Sequence, residues 1–407
     1  MNNDTPAAPR RGWLTVNLVA QLAYGLLAMT ISLPSMQDWP TTFGSSQAAV
    51  QLTFSGFIAA YGGLQLVFGP LSDRWGRKPL LLAGLVLACA GALLAAWASS
   101  IGLLVAARVV QGAGCAAGMV VGRAMVQDLF TGSERTRMMA FVGMTMGVCP
   151  PLATLVGGQV HVHVGWRANF IGMALLGAAL FVAAWWGLPA RKPQARPAGG
   201  VRVLLAGYAR LLRERAFLLY VTILASTTAT FYTFLGGAPI VLKGYGVTPE
   251  RVGWTIMSIP VAYIFGNLWT SRLVRRMSER RIMAIGQALT LGGLVLLLAV
   301  GVAGPRTPLA LALPLVFLGI GHGLLAPPTL AGTVGLVPAL AGSAAAVGGL
   351  LQQASGAFGA FVVGLVPHDG QVNLATLMLA WAVCGLGAQL LLVRVLSSRP
   401  TAGVKAA

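Results

Sequence analysis

Polar residues interrupt this chain in short clusters, and between the clusters run apolar stretches of about 20 residues or more. A hydrocarbon core ~30 Å thick is crossed by about 20 helical residues, so each stretch predicts a membrane-spanning helix. Twelve are found, at 13–36, 47–68, 79–98, 101–127, 137–160, 166–188, 217–240, 252–271, 282–303, 308–332, 342–366 and 372–396. The tenth is blurred by Pro327 and Pro328. The expected architecture is an all-α integral membrane fold. It comprises a tail (1–12), a six-helix bundle (13–188), a linker (189–216), a second six-helix bundle (217–396) and a tail (397–407). The first run is too long for the h-region of a signal peptide, so it is expected to span and stay.

Composition sharpens this picture. Only 9% of the 407 residues are charged and 57% are hydrophobic, against roughly 25% charged in soluble domains. The 53 glycines suit helices whose backbones approach closely. A net charge of +19 would suit nucleic acid if it were gathered on a folded soluble face, which it is not. With both termini inside, 22 of the 28 Lys and Arg lie on cytoplasmic segments. Four are external (Arg167, Lys243, Arg251, Arg306), and Arg108 and Arg123 lie within span four. That asymmetry orients the chain with both termini in the cytoplasm. Cys89, Cys115, Cys149 and Cys384 all fall in expected spans without metal-ligand spacing and read as small apolar fillers.

The break between six spans and six contains "VRVLLAGYARLLRER", whose apolar residues suggest an amphipathic helix on the inner leaflet. A shift of 202 residues aligns 69–84 with 271–286 and pairs Leu71 with Leu273, Arg74 with Arg276 and Gly84 with Gly286. Both stretches lie between the second and third spans of their half, as an internally duplicated transporter requires.

The stretch "GPLSDRWGRKP" (69–79) concentrates one acid and three bases. Arg74, Arg77 and Lys78 could be purely topogenic, but Gly69 also permits close helix contact, Gly76 a tight turn, and Asp73 a bond to an arginine or a helix N-terminus. With Gly69, Leu71, Asp73, Arg74, Gly76, Arg77 and Lys78 in place, the stretch resembles the loop signature of the major facilitator superfamily. The resemblance implies twelve helices in two halves, with Asp73 in a cytoplasmic latch; near that gate Arg123 is expected to pair with Asp73 or Asp128. The second copy has Arg275 where the acid would stand.

Span four carries "RVVQGAG", which resembles the same superfamily's R-x-x-Q-G signature through Arg108 and Gln111. Arg108 lies ~10 Å inside the membrane by helical rise, so it needs a partner or a water-filled cavity unless it snorkels outward. Asp38 is the acid expected to meet it. Span five presents Gly143, Gly147, Pro150, Pro151, Gly157 and Gly158. They form a groove that could serve packing alone and that resembles the antiporter pattern of the superfamily. Further stretches, "RAMVQDLF", "RMMAF", "GWRANF" and "FYTFLGGAPIVLKGYGV", resemble the Bcr/CflA-type drug-resistance exporters. In "TISLP", however, Thr30 stands where those exporters usually carry an acid.

With no acid there, Asp38, Arg108, Asp128 and His322 are the candidates for proton coupling, His322 reading in the first place as a satisfied packing residue. Tyr24, Thr30, Arg108, Gln111, Met119, Met144, Phe231, Tyr232, Asn267 and Gln353 are expected to face a cavity for uncharged or amphipathic compounds. The partners implied are a small molecule, protons and the bilayer, without nucleic acid, in a monomer of the bacterial inner membrane. His161 and His163 point to different helix faces, so no metal site is expected, and no cofactor is expected either. No phosphate-binding loop supports ATP drive, and no catalytic constellation supports an enzyme. The alternative is carriage of a small polar or anionic metabolite held by Arg108.

Overall fold

The computed structural model describes residues 8–190, 200–337 and 340–398. The expected tails at 1–7 and 399–407, and the Pro-rich part of the linker at 191–199, lie outside the described residues. Among the described residues twelve helices are long and apolar enough to cross a membrane, and we label them α1 to α12. They are α1 (Gly12–Gln37), α2 (Gln47–Trp75), α3 (Arg77–Ala96), α4 (Ile101–Leu129), α5 (Gly132–His163) and α6 (Trp166–Gly187). The second six are α7 (Arg215–Gly244), α8 (Pro249–Leu273), α9 (Glu279–Ala303), α10 (Pro308–Gly335), α11 (Gly342–Val363) and α12 (Gln371–Ser397).

Several helices outrun their apolar cores, because backbone hydrogen bonding continues past the point where side chains turn polar. The clearest case is the charged stretch, which is no loop. Helix α2 runs on to Trp75, Gly76 takes φ +96° with its N–H on the Ser72 carbonyl at 3.0 Å, and α3 starts at Arg77. One glycine makes the whole turn, in a region of backbone space that disfavours a Cβ. Helix α8 is broken at Met257, where Pro260 removes the N–H due to the Ile256 carbonyl. The helical part of α1 stops at Thr30, followed by a 3-10 turn at Pro34–Gln37.

The packing repeats every six spans. In the first half α2 packs on α4, α3 on α4, α1 on α5, α1 on α6 and α3 on α6. In the second half α8 packs on α10, α9 on α10, α7 on α11, α7 on α12 and α9 on α12. The most extensive contacts between halves, α2 on α11 and α5 on α8, exchange with each other under the same shift. Glycines permit the closest approaches. A Cβ on Gly91 would stand 2.9 Å from the Ala107 carbonyl oxygen across the α3/α4 contact, and one on Gly293 2.7 Å from that of Pro314 across α9/α10.

The amphipathic segment is a helix, Gly200–Arg213. Its Leu211 is buried beside Phe217 and Val221 of α7 and Ala344 and Val347 of α11.

Candidate functional site: a cavity between the halves

A cavity of about 250 Å³ lies between the two halves. It is lined by Leu26 and Met29 of α1, Tyr61 and Gln65 of α2, Met119 and Arg123 of α4, and Met146, Gly147 and Pro150 of α5. Facing them are Thr227, Thr228, Phe231 and Tyr232 of α7, Tyr263 of α8, His322 and Ala326 of α10, and Gln352 and Gln353 of α11. The lining helices are thus one, two, four and five of each half. Pro150 and Pro151 supply no N–H to the carbonyls of Met146 and Gly147 at the lining.

The cavity is closed at the end opposite the 69–79 stretch. Gln37 Nε2 donates to the Pro239 carbonyl at 2.7 Å, and Gln51 Nε2 to that of Gly236 at 2.8 Å. Lys243 donates to the Gln37 carbonyl and lies 3.3 Å from Asp38 Oδ1. Asp38 Oδ2 in turn meets His161 Nε2 at 3.0 Å. A helix from each half is therefore tied through one carboxylate. Nearby, a Cβ on Gly158 of α5 would stand 2.5 Å from the Pro249 carbonyl oxygen at the start of α8. Among the described residues, the side-chain hydrogen bonds given between the halves lie at this end, the end away from the 69–79 stretch.

At that other end Arg77 gathers Asp73, Asp128 and Ser72. It pairs with Asp73 one turn back and reaches Asp128 Oδ2 from Nε at 3.1 Å, while its Nη1 donates 2.5 Å to Ser72 Oγ. Lys78 donates to the Leu188 carbonyl at 2.9 Å. These bonds bind α2, α3, α4 and the end of α6 within the first half.

The major facilitator superfamily model matches residues 14–360, most of the chain. The chain belongs to the major facilitator superfamily. Multidrug resistance protein D of Escherichia coli is 29% identical over 370 residues, covering 90% of this chain and 92% of that protein. A chloramphenicol resistance protein of Pseudomonas aeruginosa is 28% identical, with 88% and 86% covered. A bicyclomycin resistance protein homolog of Haemophilus influenzae is 26% identical, with 86% and 89% covered. Among solved structures, a bacterial homolog of the human lysosomal transporter Spinster, described as inward-facing and unoccupied, superposes with a TM-score of 0.74 at 13% identity. That match covers 96% of both chains. A D-xylose-proton symporter superposes with a TM-score of 0.73 at 16% identity, covering 93% of this chain and 96% of the other.

Within this superfamily fold, several residues sit elsewhere than expected. Arg108 does not meet Asp38. It is fully buried, donating from Nη1 to the Ala28 carbonyl at 2.8 Å and to Gln111 Oε1 at 2.6 Å, and from Nη2 to the Met29 carbonyl at 3.1 Å. Its guanidinium stacks 4.3 Å from the Phe57 ring centre. These carbonyls belong to the last turn of α1, where helical donors run out and the helix dipole favours a cation. Arg108 and Gln111 are thus a clamp inside the first half and not part of the lining, and Arg108 has no free face for a metabolite.

Thr30 is buried too, donating to the Leu26 and Pro150 carbonyls at 3.1 and 3.2 Å, and Tyr24 donates to that of Met173 at 3.0 Å. Asn267 bonds the Tyr263 carbonyl at 3.1 Å, and Met144 is 54% exposed on the outer surface; neither lines the cavity. Arg123 turns to the lining with Nη2 3.5 Å from Met146 Sδ, while Asp128 is engaged by Arg77. Met119, Phe231, Tyr232, Gln353 and His322 do line the cavity, as do Gly147 and Pro150. Gly157 packs against Ile31 of α1 and Gly158 against α8, whereas a Cβ on Gly143 would meet nothing within 4 Å.

Tyr61, Gln65, Met146, Tyr263 and Gln352 were missed. Gln65 and Gln352 carried a signal: an amide within an apolar span needs a polar surround. Among the described residues, no three His, Cys, Asp or Glu gather to hold a metal ion.

Proposed function

We propose that this superfamily transporter exports small amphipathic compounds across the bacterial inner membrane by alternating access, as a monomer, in exchange for protons. The single observation that carries the export reading is the cavity between the halves, lined by methionines, aromatic rings and amides and sealed at one end. Such a lining repacks around varied apolar shapes. The names of the relatives, which refer to resistance to drugs, support the same cargo class. The excess of Lys and Arg on alternate loops supports an orientation with both termini and the 69–79 stretch in the cytoplasm. The open side of the cavity then faces cargo to be expelled.

For the proton, the cavity supports His322. Of the four coupling candidates it alone lines the cavity, and among the described residues its Nε2 has no hydrogen-bond partner. Asp38 and Asp128 lie outside the lining at opposite ends, where they suit gates better than carriers.

The test is purified protein in liposomes, with a compound panel and imposed pH gradients. Accumulation should rise with the gradient and fall when it is collapsed, and His322→Gln should lose that dependence. Accumulation indifferent to the gradient would remove proton exchange while leaving export standing.

A further inference from the structure

Two arginines sit fifteen residues apart on α4, and their surroundings differ in kind. Arg108 has its donors taken by protein oxygens and its face covered by Phe57. Arg123 lines the cavity, half-buried, and the acceptor it meets is the sulfur of Met146 at 3.5 Å. A guanidinium offers five N–H donors, and a thioether is a weak acceptor. That one described bond leaves most of the donor capacity of this lining residue uncommitted.

The lining carries no carboxylate to balance this charge. Among the described residues the acids stand at 38, 73, 128, 134, 214, 250, 279 and 369, and none of these is a lining residue. A cation held in a cleft with low-dielectric walls focuses its field on whatever enters. It repels a cationic drug and favours an anion, which a guanidinium can take with two parallel hydrogen bonds. Beside Arg123, Met119, Met146 and Tyr61 supply the apolar wall for a ring.

We propose that the cavity selects amphipathic organic anions, aromatic acids above all, with Arg123 as the ligand for the carboxylate or phenolate group. This deepens the export reading and rests on it. Export of such an anion also moves negative charge out of a compartment held at negative potential.

The test uses three probes of one shape: naphthalene-2-carboxylate, naphthalene-2-carboxamide and naphthalen-2-ylmethylammonium. Each is titrated against the full-length protein in lipid nanodiscs at neutral pH, then offered to proteoliposomes. The carboxylate should bind about tenfold or more tighter than the amide, with the ammonium weakest. In Arg123→Gln the ratio of carboxylate to amide affinity should fall toward one, and Arg123→Lys, which keeps the charge, should retain some of it.

The melting temperature of each variant checks its fold; should the Gln variant fail it, the wild-type order and the Lys variant still decide. An ammonium that binds as well as the carboxylate, or an unchanged ratio in a folded Arg123→Gln protein, overturns the proposal. Transport of the amide without preference for the carboxylate overturns the anion proposal alone. A wild-type protein that moves none of the three, nor any compound of a wider panel, overturns the export reading with it.

Discussion

At the scale of single residues, the contrast between Arg108 and Arg123 separates support from recognition. Arg108 of α4 holds the end of α1 through the Ala28 and Met29 carbonyls, with Gln111 of its own helix and the Phe57 ring of α2 completing its surround. Arg108→Ala leaves those acceptors buried and unmet, and the expected destabilisation is about 2–4 kcal/mol, a lower melting temperature in detergent. Arg108→Lys should recover a fraction of it, because an ammonium reaches fewer of the oxygens and stacks poorly. A selective rise in KM with unchanged melting would instead mark Arg108 as a substrate ligand. The types of residue that line the cavity were legible in the sequence, as Met119, Phe231, Tyr232, His322 and Gln353 demonstrate. The rotation of each helix was not. A span apolar on all sides gives no phase, so Tyr24 and Gln111 could not be told from Tyr61 and Gln65 by spacing.

At the scale of elements, the boundaries were legible only to the edge of the apolar core. Helices α2 and α5 extend beyond it, since polar residues such as those at 69–75 and 132–136 keep helical hydrogen bonds outside the membrane. The pairing of elements depends on small residues that the sequence shows without showing their partners. Gly114 of α4 meets the backbone of Ala88 on α3, where an added Cβ would stand 2.8 Å from Cα. Gly114→Val must therefore push α3 and α4 away from each other, and we expect loss of the monodisperse peak in size-exclusion chromatography. Asp38, whose side chain is 43% exposed, joins α5 and α7 through His161 and Lys243. Exposed pairs contribute ~0.2–1 kcal/mol, so Asp38→Asn should move the balance toward the state open at that end by at most about fivefold. Spin-label distances between the ends of α2 and α11 nearest Asp38 would report it, and an unchanged distribution would deny the latch.

At the scale of the whole molecule, the repeat of 202 residues was faint in sequence yet is plain in the packing, where contacts recur six spans later. Packing conserves helix positions while the side chains diverge, which is why so few identities survived. Arg275 shows how far: the second copy lacks the acid around which Arg77 organises the first. Asp73→Asn should lower transport more than tenfold in vesicles while a reporter fusion shows normal membrane levels. Transport equal to wild type would leave the stretch with a topological role alone. One consequence follows from the adjacent glycines at 157 and 158, which seat α5 against backbone on two sides at once, Ile31 on its own half and Pro249 on the other. No side chain of any size fits at either place without displacing the neighbours, so a methyl group added there is a wedge of known thickness. Alanine at 158 would prise the two halves apart at this mouth, whereas alanine at 157 would strain the first half alone, and the pair would tell how far the mouth must gape before cargo escapes.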